Sequence, residues 1–129
     1  MIFSVYSNLQ TADNNTVTSY QSANLNGQNA LSLDTGRFTV TRSGLYLLTF
    51  QGIGSAKHSI PHETQIQLRV NDLVKVTSSA KSTDHYAIGL MAAEKLENND
   101  QVSVYVTGAS LFESNSDPKY VHFAGFLIE

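Results

Sequence analysis

Two imidazoles and a carboxylate fall in one short polar segment, His58-Ser59-Ile60-Pro61-His62-Glu63. Turned to a common point, they could hold a zinc ion, because imidazole nitrogens and carboxylate oxygens are among its ordinary ligands. Pro61 forbids the regular helical turn that would align them, so the segment reads first as a solvated loop. His85 and His122 stand singly near the ends of strand-like segments and read as surface or rim residues. Calcium chemistry needs several hard oxygens converging, and Glu63, Asn71, Asp72 and Asp84 lie where loops could gather them. Turn chemistry alone explains Asn71-Asp72 equally well. No cofactor is required by these residues, calcium is a permitted ion, and the presence of any metal stays open.

Catalytic constellations are not legible. The chain contains no Ser in a Gly-x-Ser-x-Gly elbow, no Gly-rich phosphate loop and no helical two-His-plus-Glu motif. Glu94 and Glu97 flank Leu96 near a turn, and Asp13, Asp34 and Asp117 sit in loop-like stretches where acids ordinarily aid solubility. The expectation is a non-enzymatic protein.

The elements that must position these groups are strands. Tyr46, Leu48 and Phe50 alternate with Leu45, Leu47, Thr49 and Gln51; Ile66, Leu68 and Val70 with Gln65, Gln67 and Arg69; Val102, Val104 and Val106 with Ser103, Tyr105 and Thr107. That period of two marks strands with one buried face. Turn signals at Asn26-Gly27, Thr35-Gly36, Ser43-Gly44, Asn71-Asp72, Asn98-Asn99-Asp100 and Ser114 to Pro118 separate them, which argues an antiparallel sandwich or barrel. Asn71-Asp72 predicts a two-residue hairpin joining Gln65–Val70 to Leu73–Thr77, since Asn and Asp tolerate the positive φ such a turn needs. Ala87–Leu96 is rich in helix formers, yet Tyr86, Ile88, Leu90, Ala92 and Leu96 also share one strand face, and the local signals balance. Leu45 and Leu47 oppose an already apolar row, and Phe123 to Ile128 is apolar throughout, so something must cover a second face. A subunit interface is the simplest cover, with Leu47 and Phe126 as its candidate residues.

Composition bounds the rest. A chain of 129 residues is the size of one domain, expected to span 1–129. Hydrophobic residues at 41% and charged residues at 15% describe a globular domain whose polar surface comes largely from Ser, Thr, Asn and Gln. A net charge of -3 with only 8 Lys plus Arg leaves no basic stripe for nucleic acid. No stretch approaches the ~18 consecutive apolar residues of a membrane helix, so membrane insertion is not expected. The absence of Cys excludes disulfides and thiolate sites. The opening Met1 to Tyr6 lacks a positive n-region and an apolar h-region, so a secretory leader is not expected within this chain. Asn14-Asn15-Thr16 is an N-glycosylation pattern, meaningful only for a secreted protein.

Tyr20, Asn26, Leu31, Phe38, Gly44, Tyr46, Leu48 and Phe50 fall at spacings that resemble the C1q-like globular head of the C1q/tumour necrosis factor superfamily. Tyr20 stands where that family usually has Phe, and Leu48 where it usually has an aromatic. The opening Phe3-Ser4-Val5, the stretch from Leu96 to Val102, and Phe123 to Ile128 look like the family's first strand, a later turn and strand, and its closing strand. The resemblance implies an all-β, ten-stranded antiparallel jelly roll of two five-stranded sheets. It implies a compact homotrimer, with the two termini near one another, and it favours strand for Ala87–Leu96. The matched residues read as core scaffold, with Gly44 permitting a tight approach at the strand start and Phe38 packing from a neighbouring strand.

What the resemblance implies for function is recognition. The collagen-free form is expected to be a secreted, lectin-like or pattern-recognition head that binds carbohydrate, microbial surfaces or a protein ligand, in the manner of an innate-immunity protein. A trimerisation module and a cytokine-like receptor ligand are the alternatives. Ligand contacts are expected in the variable segments Ser55–Glu63, Ser78–His85 and Ser110–Tyr120. The candidate residues there are His58, His62, Asp84, His85, Glu113, Asp117, Lys119 and Tyr120, a mix of donors, acceptors and one aromatic that suits polar glycans or a protein surface.

Overall fold

The computed structural model describes residues 2–7, 15–18, 20–26, 30–54, 62–82, 86–108, 111–112 and 120–129. These form eleven strands and no helix: β1 (Ile2–Ser7), β2 (Asn15–Thr16), β3 (Tyr20–Asn26), β4 (Phe38–Thr39), β5 (Gly44–Gly54), β6 (His62–Val70), β7 (Leu73–Ser82), β8 (Tyr86–Leu96), β9 (Gln101–Thr107), β10 (Leu111–Phe112) and β11 (His122–Leu127). In sheet A, β8 and β11 flank β5, β10 joins β5 beyond the end of β11, and β1 and β3 follow β11. Sheet B runs from β2 and β4, both on β9, through β6 to β7. All pairings are antiparallel. The described strands therefore group as six and five, where the resemblance implies five and five, and the difference lies in two-residue pairings such as β10.

Burial follows the period of two except on β9, where Ser103 is buried between Val102 and Val104. Along β5, Tyr46, Leu48 and Phe50 are buried while Leu45, Leu47 and Thr49 point to the outer side. Ile66, Leu68, Val70, Val102, Val104 and Val106 supply the inner face of sheet B. Aromatic rings fill the space between the sheets: Phe3 lies 4.6 Å from Phe38 and 4.8 Å from Phe123, and Phe38 lies 5.8 Å from Tyr46. Each such pair adds about 0.5–1.5 kcal/mol beyond the apolar area it removes from water. Phe38, on the strand that precedes β5, reaches Tyr46 from the opposite sheet, through the pairing of β4 with β9. The other matched scaffold residues Tyr20, Leu31, Leu48 and Phe50 are buried as well, and Asn26 closes β3 opposite Phe3.

Ala87–Leu96 is strand. β8 pairs with β5 without a break from Gly44↔Leu96 to Gly54↔Tyr86, so cross-strand hydrogen bonding decides what local propensity left even. The Asn71-Asp72 hairpin forms as expected, with φ of 52° and 64° at its two residues. Its second strand runs to Ser82, beyond Thr77, so Ser78–Ser82 is a strand pairing with His62 to Ile66 rather than a loop. His62 and Glu63 likewise belong to β6, and Leu111–Phe112 to β10.

Gly44 and Gly125 mark close approaches. A Cβ at Gly44 would lie 2.6 Å from the Glu129 carbonyl oxygen, which accepts a hydrogen bond from Leu45 N at 2.7 Å. A Cβ at Gly125 would lie 2.7 Å from the Phe3 ring and 2.8 Å from a Leu48 methyl. The pairing of Ile2 with Phe126 sets the two ends of the described chain side by side.

Candidate functional site

Of the residues proposed for metal binding, Glu63, Asn71 and Asp72 belong to no metal-holding group among the described residues, and His58 and Asp84 lie outside those residues. Asn71 and Asp72 serve the sandwich end: Asn71 Nδ2 donates to Asp100 Oδ1 at 2.9 Å, the backbone N–H of Gln101 donates to Asn71 Oδ1 at 3.0 Å, and Asp72 pairs with Arg37 at 3.0 Å. The Glu97 backbone N–H donates to Asp100 Oδ2 at 2.8 Å, and this bond, followed by that from Asn71, holds the Asp100 carboxyl below its usual range. These bonds tie the 71–72 hairpin to the 97–100 turn, so their purpose is structural. Glu63 sits on β6 opposite Lys81. No group of three His, Asp or Glu positioned for a metal exists among the described residues.

Of the candidate ligand residues, His58, Asp84, His85, Glu113, Asp117 and Lys119 lie outside the described residues, as does Asn14 of the glycosylation pattern. The strand ends that flank those segments are close together. Gly54 is in register with both Tyr86 and Leu111, and His62 with Ser82. A hydrogen bond between Thr64 Oγ1 and Tyr86 Oη ties the two sheets at this end. Tyr120 is exposed and borders an open groove of about 390 Å³ lined by Gln51, Gly52, Ile53, Ala87, Ile88 and Gly89.

That groove continues the outer face of sheet A. Ile2, Phe126, Leu47 and Ala93 lie in register across four strands, and Ser4, Ala124, Thr49 and Met91 form the next row. Phe126 is 42% and Met91 68% exposed, with Ile2 and Ile128 exposed beside them. The following row, Tyr6, His122, Gln51 and Gly89, is more polar. His122 Nε2 and Ser4 Oγ share a hydrogen bond at 2.9 Å, and the His122 ring lies 4.9 Å from Tyr6. Partial burial lowers the His122 pKa from its ordinary 6.5. It is the first residue of β11, half-buried on the outer surface of the sheet.

The outer face of sheet B is different. Glu63, Gln65, Gln67 and Arg69 of β6 face Lys81, Ser79, Thr77 and Val74 of β7, while Thr107, Tyr105 and Ser103 of β9 lie on the other side. Arg69 stacks its guanidinium 3.8 Å from the Tyr105 ring centroid. Its Nε and Nη2 donate to Gln67 Oε1 at 3.0 and 2.7 Å, and Gln67 Nε2 donates to Gln65 Oε1 at 2.9 Å. The alternation of β6 shows these polar residues on one face, but the meeting of Arg69 with Tyr105 depends on the β6–β9 register, which no local signal carries.

No helix among the described residues is long and apolar enough to cross a membrane. No curated protein matches the chain. The globular domain of the zebrafish complement 1qA protein superposes with a TM-score of 0.67 at 17% identity, over 99% of this chain and 97% of that one, a likeness of fold. The family pattern described as the C1q domain matches residues 2–128, and the chain accordingly belongs to the C1q domain family.

Proposed function

We propose that the protein is a non-enzymatic, extracellular recognition head that works as a homotrimer, covering the outer face of sheet A and presenting the outer face of sheet B and the loop end to ligand. The observation that carries this reading is the uncovered apolar row Ile2, Phe126, Leu47 and Ala93, next to Met91 and Ile128. An isolated sandwich has no use for such a face, whereas a subunit interface does. Membership of the C1q domain family supports both the assembly and the extracellular setting.

The ligand class we favour is carbohydrate or a microbial polysaccharide, bound in a lectin-like way. The support is chemical: amide and hydroxyl groups cover sheet B, and three copies of a weak site gain avidity on a repetitive target. The test is light scattering of the purified chain, followed by a glycan and microbial-polysaccharide array with calcium and again with chelator. A trimer with saturable, selective binding is expected, and loss in chelator would assign a role to calcium. A monomer would overturn the assembly, while a trimer silent on every glycan would shift the reading to a protein ligand or to pure assembly.

A further inference from the structure

Arg69 is a cation held in place by neutral groups. Tyr105 supports one face of its guanidinium, and the Gln67 carbonyl accepts from Nε and Nη2. The Gln67 amide is itself oriented by its bond to Gln65, so the oxygen stays turned toward the arginine. The ion pair among the described residues is Arg37–Asp72, and no described carboxylate pairs with Arg69. Nη1 makes no hydrogen bond among the described residues, which leaves the outer edge of the guanidinium fork open. The pairing of β6 with β7 shifts register between Leu68 and Arg69, where Val76 and Val74 are the partners and Lys75 of β7 is the extra residue of a bulge opposite Arg69.

An arginine oriented in advance, with its charge unmatched and its fork edge open, suits a planar anion that takes two parallel hydrogen bonds. Fixing the side chain beforehand also removes part of the ordering cost of binding. The surroundings indicate the rest of the ligand. Between Arg69 with Val74 at one end of this face and the Glu63–Lys81 register pair at the other lie Thr77, Ser79, Gln65 and Thr107, which offer hydroxyl and amide groups suited to sugar hydroxyls and no apolar pocket for a peptide side chain. We propose that the outer face of sheet B carries an acidic-saccharide site in which Arg69, supported by Tyr105 and Gln67, receives the carboxylate of a sugar acid. The proposal rests on the recognition reading and names its ligand.

The test is calorimetric titration of the purified chain with oligogalacturonate and with its neutral methyl ester of equal length. The acid form should bind saturably and the ester at least ~10-fold more weakly, the size expected for losing a charge-assisted bidentate contact. Arg69→Gln should weaken the acid form by a similar factor, and Arg69→Lys less, since lysine keeps the charge but loses the fork. Gln67→Glu keeps the arginine but gives it an internal carboxylate, and should also abolish the preference for acid over ester. Arg42→Gln, which removes an exposed charge elsewhere, should bind as the parent does.

Equal binding of acid and ester, or acid binding that survives Arg69→Gln, would overturn the site while leaving recognition standing. Arg69-dependent capture of polyglutamate without the oligogalacturonate would overturn the saccharide assignment. Silence on every acidic and neutral glycan would count against this site and the carbohydrate reading together.

Discussion

The two outer faces of the sandwich do opposite things with the same alternation. On β5 the outward residues run Leu45, Leu47, Thr49; on β6 they run Gln65, Gln67, Arg69. Both strands lie inside their sheets, and each turns an apolar row toward the shared core. A sheet covered on one side needs only one apolar row, so the second row on sheet A reflects something beyond folding the monomer. Sheet B shows what a face meant for water looks like: side chains hydrogen-bonded to one another, with charge carried by Arg69 and by Glu63 opposite Lys81. In the proposed reading, the contrast separates a face shaped for assembly from a face left open for ligand.

Breaking the contrast at its strongest point calls for a charge in the apolar row. Leu47→Asp or Phe126→Asp should dissociate or unfold the assembly, because an uncompensated buried charge costs about 3–5 kcal/mol; Gln65→Asp on sheet B should leave the same light-scattering mass as the parent. An unchanged trimer for both sheet A variants would sink the assignment of that face. Gly125→Ala tests the layer beneath it: the added Cβ meets the Phe3 ring and a Leu48 methyl, and overpacking of this kind costs about 1–3 kcal/mol in denaturant unfolding.

Tyr20→Phe probes the inner layer from the other direction. The Tyr20 hydroxyl is buried with no partner among the described residues, and burial raises its pKa far above the ordinary range. Removing it should stabilise the protein by up to about 1 kcal/mol in the same measurement, since a buried hydroxyl without a partner carries a desolvation cost. A clear loss of stability would reveal a bond to this hydroxyl.

The smallest expected effect concerns pH. His122 is lowered below 6.5 in the folded chain and returns to about 6.5 when unfolded, so the unfolded state takes up the proton first as pH falls. Stability should be full above pH ~6.5 and decline below it, and His122→Gln should flatten that portion of the profile. A slope unchanged in the variant would assign the dependence to another group. The neighbours of His122 on β1, β5 and β8 are Tyr6, Ser4, Gln51 and Gly89.

Most of the framework was legible because it rests on short-range rules. The alternation on β5 and β6 and the Asn71-Asp72 turn are written in neighbouring residues, and each appears where its pattern put it, whereas β9 departs from its alternation at the buried Ser103. What was not legible depends on partners distant in sequence. Ser78–Ser82 has loop-like composition, yet it is strand because β6 offers it a partner. Phe38 belongs to the sheet opposite Tyr46 because β4 finds β9, and the balance at Ala87–Leu96 is settled by β5. Arg69 was visible as one outward residue among several; its stacking on Tyr105 is a product of register. The candidate loop residues fared least well, since of those side chains Tyr120 alone falls among the described residues.

The pairing of Ile2–Tyr6 with His122–Phe126 also sets a schedule for folding. The β6–β7 hairpin closes over a two-residue turn and can form within microseconds, as hairpins commonly do. Sheet A cannot be completed until the last strand arrives, because β11 sits between β1 and β5. During synthesis, β1 must therefore wait for nearly the whole chain with its Phe3 and Val5 uncovered on that side. A polypeptide stopped before β11 would expose the edges of both neighbouring strands, where any extended segment could pair in its place.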